Sequence, residues 1–105
     1  MDSREATAVL ALIKDDRPPY RMSVLEAVCS IDWNKAHDFD VASEIILRMS
    51  AGAIVADDLE GEARKAHKKA FESIANAVEA SSLPSRDPEF QRYFDKYRSR
   101  LTELG

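Results

Sequence analysis

Apolar side chains along this chain return every three or four positions, and no stretch alternates apolar with polar at every second one. That spacing matches the turn of an α-helix and predicts an all-α fold. The first helix is expected from about Arg4 to Lys14, with Ala6, Val9, Leu10 and Ile13 on one face and Asp2 or Ser3 as its cap. Arg17-Pro18-Pro19 ends it, because proline lacks an amide hydrogen and pushes the residue before it out of the helical region. A second helix is predicted from Tyr20 or Ser23 to Ser30, with Ser23-Val24-Leu25-Glu26 read as a capping box and Leu25, Val28 and Cys29 facing inward. Asp32 is placed to cap a single turn through Trp33-Asn34-Lys35-Ala36, and Asp38 or Asp40 to cap the next helix.

The third helix, about Val41 to Ala56, is the most apolar. Ala42, Ile45, Ile46, Met49, Ala53 and Ile54 form a wide stripe, and Leu47 and Val55 extend it around the cylinder, which predicts a helix enclosed by neighbours. The small residues Ser50-Ala51-Gly52-Ala53 invite close approach by another helix. A fourth helix is expected from Asp57 or Asp58 to Ala80, along Leu59, Ala63, Ala66, Ala70, Ile74 and Ala77. Gly61 either sits inside it, at a cost of about 1 kcal/mol, or marks the break from helix three. Ser81 to Arg86 reads as a loop, and Asp87-Pro88-Glu89 is the clearest helix start in the chain. Phe90, Phe94, Tyr97, Leu101 and Leu104 then mark a core-facing stripe. The expectation is one helical domain over residues 1–105, a compact bundle of four or five helices.

Composition adds limits. With 45% hydrophobic and 32% charged residues, the chain has the make-up of a folded domain and not of a disordered one. Its one cysteine, Cys29, precludes an internal disulfide and reads as a packed thiol. No segment has the length and apolarity of a membrane span, and the first residues lack the basic, apolar character of a signal peptide, so a cytoplasmic location is expected. The net charge of −4 is uneven: residues 1–60 hold 6 Lys/Arg against 12 Asp/Glu, residues 61–105 hold 9 against 7.

That asymmetry directs the functional reading. Size and acidity are those of immunity proteins and small inhibitors, so a non-enzymatic, regulatory protein-binding module is the leading expectation. Its surface would be the acidic half, where Asp15, Asp16, Asp32, Asp38 and Asp40 surround Trp33, facing a basic protein. This version requires Trp33 in solvent, whereas an aromatic at a helix junction more commonly closes a core. An alternative is a nucleic-acid-associated regulator using Arg64, Lys65, Lys68 and Lys69 of helix four and Arg92, Lys96 and Arg100 of helix five. Acids three or four residues from these bases give them an ordinary role as solvated pairs.

A third possibility is metal-dependent hydrolysis at His37-Asp38. Helical phosphohydrolases of the HD type use such a pair, together with an earlier histidine, and no histidine precedes His37. Asp57, Asp58, Glu60 and Glu62 suit a hard cation, but acids at a helix start are favoured by the helix dipole alone. No cofactor fingerprint is present. The alanine face of helix four leaves a homodimer open.

Overall fold

The structure, a computed structural model, describes residues 2–35 and 39–104, with side chains from Arg4 onward. The fold is all-α, as the periodicity predicts. Its elements are α1 (Asp2–Lys14), α2 (Met22–Cys29), a 3-10 turn (Trp33–Lys35), α3 (Phe39–Ala56), α4 (Gly61–Ala80), a single-turn α5 (Leu83–Arg86) and α6 (Pro88–Leu104). No helix among the described residues is long and apolar enough to cross a membrane.

The central helix α3 packs most extensively on α6, and the two run in the same direction. At their starts the Arg86 guanidinium stands 5.6 Å from the Phe39 ring centroid. At their ends Ala53 and Asp57 meet Arg100 and Leu104 around one small hollow. Helix α4 returns against α2, α3 and α6, antiparallel to α6: Arg64 reaches the carbonyl of Leu104 at 2.6 Å, and the Tyr97 hydroxyl donates to the Phe71 carbonyl at 2.6 Å. Apolar residues of every helix and of the turn at Trp33 join one continuous core. Along it an aromatic series runs Trp33, Phe90, Phe94, Tyr97, Phe71, with successive ring centroids 6.3 to 6.5 Å apart. Such spacing suits offset and edge contacts, which add to area burial.

Several local expectations are met in atomic detail. Asp32 accepts the Asn34 amide at 3.2 Å and so starts the Trp33 turn, while Asp87 accepts the Glu89 amide at 3.2 Å and starts α6. Gly61 takes φ of +61°, so it is the break between α3 and α4 and not an interior residue.

Four expectations are corrected. Ser23 does not cap α2: that helix begins at Met22, and the Arg21 amide before it donates to the Asp16 carboxylate at 2.9 Å. That amide belongs to the residue before the helix, and no side chain caps the first turn of α2. The loop at Ser81–Arg86 contains the α5 turn, because Leu83 is drawn fully into the core and Asn34 accepts the Ser82 amide at 3.0 Å. Ala63 and Ala66 are exposed. An alanine has so little apolar area that a stripe of them does not decide which face is buried. Finally, α3 is not enclosed on all sides, since Leu47 and Ile54 stand in solvent.

Candidate functional site

The acidic surface loses its anchor. Trp33 is only 2% exposed, sealed beside Phe90 within the aromatic series, and its indole N–H has no hydrogen-bond partner among the described residues. Capping by Asp32 fixes the turn so that the indole points inward and the carboxylate outward. The surrounding acids are divided. Asp15 and Asp16 lie before α2 and Asp32 after it, so the length of that helix, about 12 Å, separates them. Asp16 is committed to Arg21; the hydrogen bond from the Arg21 amide holds its carboxyl below the usual carboxylate range. Asp32 pairs with Lys35 at 3.9 Å. Asp40 is exposed in the first turn of α3, while Asp38 and His37 lie outside the described residues.

The basic residues divide as well. Arg64 is turned inward as a clamp: its guanidinium donates to the Asp57 carbonyl and carboxylate and to the Leu104 carbonyl, tying the end of α3 to the end of α6. Its place in a nucleic-acid face is therefore corrected, because those donors already serve the fold. Lys65 pairs with Glu62 at 3.7 Å, and Lys68 is half-buried. Lys69 lines an open groove of about 780 Å³ between α4 and α6, with Glu72, Glu79, Asp95 and Arg98 among its neighbours. Mixed charge in that groove favours neither an anion nor a cation.

Arg92, Lys96 and Arg100 belong elsewhere. Arg100 lines the hollow shared with Ile54 and Asp57, and one and two turns back Lys96 and Arg92 climb the same edge of α6. Arg92 and Lys96 are exposed and form no ion pair among the described residues, while Arg100 meets Glu103 at 3.2 Å. Of the three, Arg100 is the one placed against α3, at its C-terminal end.

There it meets a feature that periodicity alone did not single out. Leu47 (43% exposed), Ala51 and Ile54 (51% exposed) occur at i, i+4 and i+7 and form a bare apolar stripe on the outer face of α3. The flank of α3 turned from α6 holds Glu44, which receives Arg48 at 3.0 Å and Lys14 of α1 at 3.7 Å. The signal was present in the sequence, since helix three has more apolar positions than one buried arc can hold.

Cys29 and His67 are partly buried among the helices. The Cys29 thiol lies 3.7 Å from the Ala70 carbonyl oxygen, and burial pushes its pKa up. His67 has Nδ1 buried without a partner among the described residues, and desolvation lowers its pKa. Among the described residues no three His, Cys, Asp or Glu side chains gather as a metal site would need. No protein-family model, curated protein or solved structure matches the chain.

Proposed function

We propose that this chain is a non-enzymatic protein-binding module that receives a helix of a partner protein on the outer seam of α3 and α6. One observation carries the reading: Leu47 and Ile54 are left in water on one face of the central helix, with the small Ala51 between them, whereas the other exposed large apolar residues described, Leu12 of α1 and Met22 of α2, stand singly on their helices. Side chains at i, i+4 and i+7 give a strip about 10 Å long, the footprint two helices share when they pack. Alanine at the centre permits close approach of the two backbones. Both side chains are about half-exposed, so covering what remains would contribute about 1 kcal/mol each, to which close packing at the centre of an interface adds.

The test is comparative capture from the source cells with the tagged full chain and its Leu47→Asp/Ile54→Asp variant. Both side chains are about half-exposed, so the variant's helical circular dichroism and melting temperature are measured alongside to show that it stays folded. A partner held by the wild type and reduced roughly tenfold or more in the variant supports the reading. Equal capture by both proteins, or nothing above the matrix control, removes it.

A further inference from the structure

We infer that residues 61–69, about the first two and a half turns of α4, form a strap that opens when His67 takes up a proton. The segment is lightly seated. No side chain caps its start at Glu60, and Gly61 holds a φ of +61° with nothing within 4 Å of where a β-carbon would stand. Glu62, Ala63, Lys65, Ala66 and Lys69 are exposed, and the buried face of α4 begins only at Ala70. Three side chains of the strap are half-buried. Arg64 donates to the joined ends of α3 and α6, Lys68 has no polar partner among the described residues, and His67 turns Nδ1 inward beside Phe71.

That inward nitrogen makes the seat sensitive to acid. In the neutral ring with its proton on Nε2, Nδ1 is a bare acceptor, which a packed site tolerates. The imidazolium carries N–H on both nitrogens, so protonation buries a charged donor with no acceptor among the described residues. The surrounding elements give no relief. Helix α2 brings Cys29, which lies against the Ala70 carbonyl, and the exposed Glu26. The end of α3 brings Asp57, held by Arg64, and the link beyond it the exposed Asp58 and Glu60. Helix α6 brings Tyr97, which donates to Phe71, and Arg100, which meets Glu103. The strap itself adds the cations of Arg64 and Lys68. Burial is what lowers the pKa of His67, and no carboxylate opposes it. Release of the strap about Gly61 returns the imidazole to water, while the buried contacts of α4 from Ala70 onward stay in place.

The test is residue-resolved amide hydrogen exchange on the full chain and on His67→Gln, between about pH 7.5 and 5.5, with intrinsic rates divided out. Amides of residues 65–69 are expected to exchange through an opening more populated than global unfolding. Its population should rise roughly threefold or more across this range in the wild type and stay level in His67→Gln. No rise in the wild type, or the same rise in the variant, overturns the inference. So does exchange of these amides at the slow rate of Ile45 and Met49 in α3, because His67 would then be released only when the whole fold opens. Proton NMR titration needs no variant to fold. The imidazole of His67 is expected to titrate below its ordinary 6.5 in the folded chain, and titration at or above that value overturns the inference as well.

Discussion

The edge of the Tyr20 ring lies 3.0 Å from the point where a β-carbon on Gly52 would stand, and Phe71 lies 3.2 Å from it. Gly52 thus admits an aromatic from the α1–α2 connection onto the central helix, together with one from α4. Glycine within a helix costs about 1 kcal/mol relative to alanine, so Gly52→Ala would stabilise an open position. Here the contact reverses the sign. The approaching atoms belong to the side of a buried ring, not to the tip of a flexible chain, and we expect Gly52→Ala to destabilise by about 1 to 3 kcal/mol. In a Tyr20→Leu background the same substitution should cost markedly less. Chemical denaturation of the four proteins measures the coupling, and additive effects would reject the contact as its cause.

Tyr97 should behave as a tether and not as a mere filler. Its hydroxyl is buried and donates to the Phe71 carbonyl at 2.6 Å, and burial raises its pKa well above that of a free phenol. Tyr97→Phe keeps the ring contacts with Phe71 and Phe94 and removes only the donor. The Phe71 carbonyl lies inside α4 and keeps its helical partner, so the expected loss is about 0.5 to 1.5 kcal/mol, the net range for one neutral hydrogen bond. A melting temperature unchanged by Tyr97→Phe would show that the bond contributes nothing net.

Arg64 is expected to matter for stability, not for nucleic acid. It donates to three oxygens at the joined ends of α3 and α6, and charged donors at helix carbonyls are stronger than neutral ones. Its side chain is 31% exposed, so solvent screens part of this. Arg64→Met, which keeps much of the stem, should cost about 1 to 2 kcal/mol. Hydrogen exchange of the last turn of α6 should quicken in the same variant. If neither changes, the clamp is incidental.

Much of the architecture was legible in the order of residues alone. The stripe of α6, the Asp32 and Asp87 caps and the inward faces of α1 and α2 come from periodicity and local hydrogen bonding, which are properties of neighbouring residues. What was not legible depends on partners far along the chain. The start of α2 at Met22, one residue ahead of Ser23 and without a side-chain cap, goes with the turn that Asp16 closes onto the Arg21 amide, which spacing does not reveal. Leu83 converting a loop into a turn depends on the core beneath it. The seam was hidden for a related reason: Leu47 and Ile54 have the same chemistry as Ile45 and Ile46, and only the positions of α1, α4 and α6 determine which pair is covered. Trp33 shows the converse, an aromatic among acids whose ring the adjoining turn directs inward.

His67 gives the fold a pH dependence whose sign is fixed by its surroundings. Desolvation lowers its pKa from the ordinary 6.5, and its Nδ1 is buried beside Phe71 with no acceptor among the described residues for an added proton. In the unfolded chain the imidazole titrates near its ordinary value. Between that value and the lower folded one, the unfolded state binds a proton that the folded state refuses, so stability falls as pH drops through about 6.5. Above that range the group is neutral in both states and contributes no slope. His67→Gln removes the titration while retaining a side chain of similar size. The stability of the wild type relative to His67→Gln should therefore be constant near pH 8 and decline steadily from pH 7 towards 5.5. His37 is present in both proteins and cancels in the difference, and the lowered carboxyl of Asp16 acts only in a more acid window. A difference that stays flat across this range would mean that the folded protein accepts the proton on His67 as readily as the open chain does.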